Sequence, residues 1–189
     1  MFIGNPAPDF DMTTTKDPNT LEHRTKLADY RGQWLVLFFY PADFTFVCPT
    51  EVLAFNKAVP TFAARNADLL GVSTDSVFAH VAWMEFHIGQ LDFPLASDRT
   101  QAVSRAYHVL DDNGEAGRGL FIIDPKGIVR YQVVHDEPVG RSVDEILRVL
   151  AALQQPGKSF AQFTTDPVPV VADPDLVTAP SNPATPVAA

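Results

Sequence analysis

Seven consecutive residues, Trp34-Leu35-Val36-Leu37-Phe38-Phe39-Tyr40, carry no charge, and both of their alternating faces are apolar. Such a run predicts a strand buried on both sides, which belongs in the middle of a sheet with helices packed above and below. Pro41 closes it, because proline donates no ladder hydrogen bond. A helical pattern follows. Pro49 falls at a first helical position, Glu51 in the first turn, and Val52, Leu53, Phe55, Val59 and Phe62 recur near helical spacing. Pro60 lies inside that pattern and predicts a kink.

The rest of the chain keeps alternating between the two periods. Residues 1–33 hold Asn/Pro clusters and the turn-like Tyr30-Arg31-Gly32, read as short strands and loops. Asp68–Thr74 reads as a strand, with Asp75 or Ser76 capping a helix that carries Val77, Val81, Met84 and Ile88 on one face. Asp98 and Gln101 have the spacing of a capping box for a short helix reaching Tyr107. Leu120–Ile123 and Ile128–Val134 read as strands joined by a type I turn at Asp124-Pro125-Lys126-Gly127. Ser142 and Glu145 make a second capping box ahead of Ile146, Leu150 and Leu153. Strand, helix, strand, helix, hairpin and closing helix predict an α/β fold of the thioredoxin type, a central mixed sheet flanked by helices.

At 46% hydrophobic and 20% charged residues, one globular domain is expected, over residues 1–155. Seven of the sixteen prolines fall beyond it, so 156–189 is expected to be a partly disordered, flexible tail. The net charge of −9 argues against nucleic acid or an anionic membrane as a partner. The longest apolar run is far short of the roughly 20 residues that span a bilayer. Without a basic, then apolar, leader pattern at Met1–Pro6, a cytoplasmic protein is the default, in a compartment where thiols can reset an oxidised cysteine.

Cys48 is the only cysteine, so no internal disulfide holds the fold together. A lone cysteine is usually a small buried hydrophobe. This one follows the end of a central strand and precedes a helix, where open α/β sheets place their ligands and where free backbone N–H groups favour a thiolate. Thr45 can donate and accept within the same loop, Pro41 and Pro49 restrict the backbone on either side, and Glu51 can orient an arginine.

The run Pro41-Ala42-Asp43-Phe44-Thr45-Phe46-Val47-Cys48-Pro49-Thr50-Glu51 resembles the active-site signature of the peroxiredoxins of the alkyl hydroperoxide reductase type. The resemblance extends to Gly117-Arg118-Gly119-Leu120-Phe121-Ile122-Ile123-Asp124 and to Pro138–Glu145. It implies a thiol-dependent peroxidase acting on hydrogen peroxide and organic hydroperoxides, on a thioredoxin-like fold with peroxiredoxin-type insertions. Cys48 would be the peroxidatic cysteine, Thr45 and Arg118 would hydrogen-bond the peroxide oxygens and the thiolate, and Pro41 would shield the site. Glu51 and Arg141 would position Arg118. No cofactor and no metal are implied. Homodimers are, built through the strand at Ile128–Val134, with rings of dimers in some members; Phe44 and Phe46 fit either such a ring contact or the core.

The sequence departs from its relatives in two places. Where they carry a second, resolving cysteine, Thr164–Val171 has none, so an external thiol (thioredoxin, a glutaredoxin-like protein or a small-molecule thiol) must resolve the sulfenic acid. The Gly-Gly-Leu-Gly motif tied to over-oxidation is also missing near Ile88-Gly89-Gln90-Leu91. A dithiol oxidoreductase is excluded because Glu51 stands where a second cysteine would be needed. His23, His80, His87, His108 and His135 show no hydrolase signature and read as surface or structural residues. The runner-up is an oligomeric chaperone or peroxide sensor on the same scaffold.

Overall fold

The computed structural model describes residues 2–17 and 20–155. In chain order its elements are β1 (Asp11–Thr14), β2 (Arg24–Lys26), a 3-10 turn (Leu27–Tyr30), β3 (Trp34–Phe39), α1 (Cys48–Ala63) and β4 (Ala67–Ser73). Then come α2 (Val77–Trp83), running into a π-helical turn (Met84–Ile88), β5 (Leu95–Ser97), α3 (Ala102–Ala106), β6 (Arg118–Ile123), β7 (Val129–His135) and α4 (Val143–Gln154). The strands form one mixed sheet in the order β2-β1-β5-β4-β3-β6-β7. The extension at 156–189, and with it the stretch Thr164–Val171, lies outside the described residues.

The apolar run is the sheet's middle, as its pattern predicts. β3 pairs parallel with β4, Trp34 opposite Ala67, and antiparallel with β6, Leu35 opposite Ile123. Its side chains alternate between two cores. Leu35, Leu37 and Phe39 join a cluster with Phe10, Tyr107 and Phe121 on one face of the sheet. Val36, Phe38 and Tyr40 join Val52, Phe55, Trp83 and Ile146 on the other, and Cys48 belongs to this second cluster. Phe38 stacks on Phe55 with centroids 4.5 Å apart, which seats α1 over the strand that precedes it.

Several local expectations shift. α1 begins at Cys48, one residue earlier than the proline suggested, so the cysteine itself occupies the first helical position, and the helix continues through Pro60 to Ala63. The buried face of α2 is Val77, His80 and Trp83, followed by Met84, with Val81 half-buried: the stripe runs one residue off the predicted one because the buried histidine replaces a hydrophobe. The capping box at Asp98 and Gln101 does not form. Gln101 takes a left-handed backbone (φ 60°) and donates to the Gly114 carbonyl, while Asp98 accepts from the Val103 and Ser104 amides and the Ser104 hydroxyl. At α4 half of the second box forms: Ser142 accepts from the Glu145 amide, and the Glu145 carboxylate pairs instead with Arg148.

The β6–β7 turn follows its sequence. The Gly127 amide donates to the Asp124 carbonyl at 2.7 Å, the Asp124 carboxylate accepts from the Lys126 and Ile128 amides, and Gly127 adopts the positive φ (77°) that glycine takes without steric cost.

Candidate active site

The sheet topology explains how residues far apart in sequence reach one sulfur. β3 and β6 run antiparallel, with Phe38 opposite Leu120, so the start of β6 lies beside the end of β3, and that is where Arg118 sits. Leu120 and Ile122 face the second core, and a strand's two-residue period sends Arg118 to the same side as Cys48. Arg118 is also paired with His135, so the turn after β7, carrying Glu137 and Pro138, closes over the same end of the sheet. Glu51 is one helical turn from Cys48, on the same face of α1.

Cys48 is 1% exposed and lines a cavity of about 340 Å³ together with Pro41, Thr45, Phe46, Arg118 and Pro138. Arg118 Nη1 lies 3.5 Å from Cys48 Sγ and 2.5 Å from Glu51 Oε2, while its Nε donates to the Glu137 carbonyl. Both ends of the guanidinium are thus fixed, and one N–H group is directed at the sulfur's surroundings.

Arg141 completes the cluster. Its amide and Nε donate to Glu51 Oε1 at 2.7 and 2.8 Å, and its Nη1 donates to the carbonyls of Phe39 and Gly119 at the facing ends of β3 and β6. Its guanidinium carbon stands 5.5 Å from the Phe38 ring centroid. Burial pushes the Glu51 carboxyl up, but the hydrogen bonds and charge of Arg141, with the charge of Arg118, outweigh it and hold the group below the usual carboxylate value. Burial pulls the Arg141 guanidinium below its ordinary value, with Glu51 acting against that.

Of the residues singled out from sequence, the fold brings Cys48, Glu51, Arg118 and Arg141 into one hydrogen-bonded cluster, and Pro41 and Thr45 into the cavity wall. The Thr45 hydroxyl is exposed and donates to the Ala42 carbonyl at 3.0 Å, holding the loop in a turn ahead of the helix.

Sequence reading missed a second buried group under this loop. Tyr40 donates to Asp43 Oδ1 at 2.8 Å, His80 Nδ1 lies 2.7 Å from Asp43 Oδ2, and His80 Nε2 lies 3.2 Å from the Ala96 carbonyl. The Asp43 amide donates to Asp75, which is itself bonded to Ser73. His80 is fully buried, so it is structural, as one of the two readings given for it held. The available signal was its spacing: three residues after Val77 and four before Met84, it lies on the apolar stripe of α2.

A lone buried cysteine at a helix start, with an arginine held beside it, is a site built for a nucleophilic sulfur. It suits a thiol that must meet a polarised oxygen, and on a thioredoxin-like fold that combination defines the peroxiredoxins. The AhpC/TSA family matches residues 3–132, and the chain belongs to that family. It is 52% identical over 158 residues to peroxiredoxin-2 of Cricetulus griseus, covering 80% of this chain and 79% of that one. It is 50% identical over 158 residues to the mitochondrial thioredoxin-dependent peroxide reductase of Drosophila melanogaster, covering 80% of this chain and 67% of the other. Among solved structures, the reduced 2-Cys peroxiredoxin of Plasmodium vivax aligns with a TM-score of 0.78 at 39% identity over 82% of each chain. That protein is a 2-Cys peroxiredoxin; this chain has one cysteine.

Proposed function

We propose that the protein is a thiol-dependent peroxidase that reduces hydrogen peroxide and organic hydroperoxides at Cys48 and relies on an external thiol to complete its cycle. The observation that carries this reading is Arg118 Nη1 at 3.5 Å from Cys48 Sγ, inside a cavity that opens at the start of α1. The Cys48 thiolate attacks the terminal oxygen of the peroxide. A sulfur–oxygen bond forms, the O–O bond breaks, and the sulfur is oxidised by two electrons to a sulfenic acid. The leaving oxygen departs as alkoxide or hydroxide and takes a proton from water, giving an alcohol or water.

Negative charge builds on that oxygen as the O–O bond lengthens, so fixed donors nearby lower the barrier without reorganising. Arg118 is such a donor, held by Glu51, which Arg141 holds in turn; Thr45 supplies a hydroxyl from the cavity wall, and Pro41 keeps bulk water from the sulfur.

One external thiol then condenses with the sulfenic acid, releasing water and leaving a mixed disulfide, and a second thiol frees Cys48 as the external pair is oxidised. Thioredoxin is our first candidate, in line with the name of the Drosophila relative, ahead of glutaredoxin-like and small-molecule thiols. Nothing in the fold favours the chaperone or peroxide-sensor reading over this one.

Among the described residues no helix is long and apolar enough to cross a membrane, and we place the activity in the cytoplasm, where reducing thiols are abundant. We also propose a homodimer paired through β7. That strand ends the sheet, and its Val134 is 55% exposed. Past Val129, which the Gly4–Asn5 segment engages, no described strand pairs with its outer edge, and such an edge is a template for a second copy. Phe44 and Phe46, 51% and 96% exposed, are positioned to join such dimers into rings.

The test is mass spectrometry of Cys48 after one equivalent of peroxide, followed by a panel of reductants. A sulfenic acid that thioredoxin or another thiol removes supports the reading; an unmodified cysteine with no peroxide consumed overturns it. Cys48→Ser is expected to abolish turnover with the fold intact.

A further inference from the structure

The short turn between α3 and β6 brings an acidic residue to the Cys48 cavity. Leu110 and Ala116 form an isolated bridge, and between them the Asp111 carboxylate accepts from the Asn113 and Glu115 amides. The Asp111 amide donates to the Glu115 carbonyl, and Gln101 of the preceding segment binds the Gly114 carbonyl. The turn is therefore braced by its own backbone, and Glu115, which lines the cavity, is exposed.

Charge inside the site balances without Glu115. The guanidinium groups of Arg118 and Arg141 both pair with the Glu51 carboxylate, and the proposed mechanism adds the Cys48 thiolate as the second negative charge. Among the residues that line the cavity, Arg118 is the one cation; its Nη1 is shared between Glu51 and the Cys48 sulfur, and its Nε donates to the Glu137 carbonyl. The remaining wall is Pro41, Phe46, Val47 and Pro138, suited to an alkyl group, together with Glu115 and Glu137. The sign of the field that an incoming molecule meets is left to those carboxylates.

We propose that Glu115 is a specificity-determining residue, selecting uncharged hydroperoxides over hydroperoxides that carry a carboxylate. The inference rests on the peroxidase reading above and adds a substrate class to it. Repulsion between unit charges near a protein surface is strong at short range and fades within a Debye length, so one carboxylate in the wall shifts the selectivity roughly threefold and a charge reversal about tenfold.

The full-length protein is oxidised with 3-hydroperoxy-3-methylbutanoic acid, whose carboxylate lies close to its hydroperoxide, and, separately, with its methyl ester. The second-order rate of Cys48 oxidation is measured at low and high salt for the natural chain, Glu115→Gln and Glu115→Lys. The ester is expected to react faster than the acid in the natural chain. The ratio should narrow about threefold in Glu115→Gln and further in Glu115→Lys, and added salt should narrow it more in the natural chain than in Glu115→Gln, where Glu137 alone remains in the wall. The side chain of Glu115 makes none of the turn's hydrogen bonds described above, so both variants keep the fold. An ester-to-acid ratio unchanged in both variants overturns the inference while leaving the peroxidase standing. Failure of both hydroperoxides to oxidise Cys48 in the natural chain overturns the two together.

Discussion

Arg118 stands between Glu51 and Cys48, with one nitrogen 2.5 Å from the Glu51 carboxylate and 3.5 Å from the Cys48 sulfur. The acid that holds the arginine is buried in the same helix turn as the thiol it serves, at 3% exposure against 1% for the cysteine. Stability and chemistry therefore share one carboxylate.

Glu51→Gln removes the one carboxylate that pairs with two buried guanidinium groups. Breaking a buried ion pair costs about 3–5 kcal/mol, so urea unfolding should show a loss of that order. Stopped-flow oxidation of Cys48 should slow by at least about tenfold, because Arg118 then keeps only the Glu137 carbonyl to aim it. A stability loss with an unchanged rate would show that Arg118 keeps its place unaided.

Acid should unfold the protein through the same residue. Glu51 has a carboxyl held below its ordinary value, so the folded state binds that proton less readily than the unfolded chain does. Its stabilisation is complete above the unfolded value of 4.5 and is lost as pH falls through the lower folded one. Asp124 adds to this: burial raises its carboxyl, but the Ile128 and Lys126 amides and Arg130 bring it below its usual value. Denaturation midpoints measured downward from neutral pH should fall below about pH 4.5, and the slope should be shallower in Glu51→Gln. Equal slopes would remove Glu51 from the account.

Arg118→Ala should slow Cys48 oxidation by about 10²–10³, the cost of losing one fixed transition-state donor. Lys126→Ala is the control. Lys126 sits in the β6–β7 turn, and what it contributes there is its amide, bonded to Asp124, so its rate should stay within about twofold. Equal effects of the two substitutions would make Arg118 an ordinary charge.

Thr45→Val should lower the rate about tenfold and Thr45→Ser should restore it, since the hydroxyl holds the loop's turn and, in the proposed mechanism, also meets the peroxide. If Val and Ser behave alike in stopped-flow oxidation, Thr45 serves the loop's shape alone.

The frame was legible in the sequence wherever a single element decides the pattern. The run Trp34–Tyr40 reads as a strand buried on both faces because every residue in it agrees, and the turn Asp124–Gly127 because proline and glycine sit where only one turn type wants them. Capping boxes were less legible. Their spacing is a necessary condition only, and other partners took the side chains away: the Gly114 carbonyl took Gln101, and Arg148, three residues on in the same helix, took Glu145. The site divides the same way. Cys48 and Glu51 follow from one helix start, whereas Arg118 and Arg141 came from resemblance, because nothing in a local pattern states that β6 runs beside β3. The Tyr40–Asp43–His80 group was missed for a related reason: a histidine on an apolar stripe looks like an interruption until its carboxylate partner arrives from another loop.

The pairing of β3 with β6 joins Phe38 to Leu120, partners more than eighty positions apart in the sequence. A slip of one residue in that register would turn Arg118 to the opposite face of the sheet and leave the sulfur without its donor. The arrangement has no half-formed version. During synthesis the segment bearing Cys48 emerges well before Arg118 and Arg141, and contacts of such long sequence separation form late. The nascent chain therefore carries an unassisted thiol until the sheet has closed, so the ability to react with peroxide reports that folding is complete.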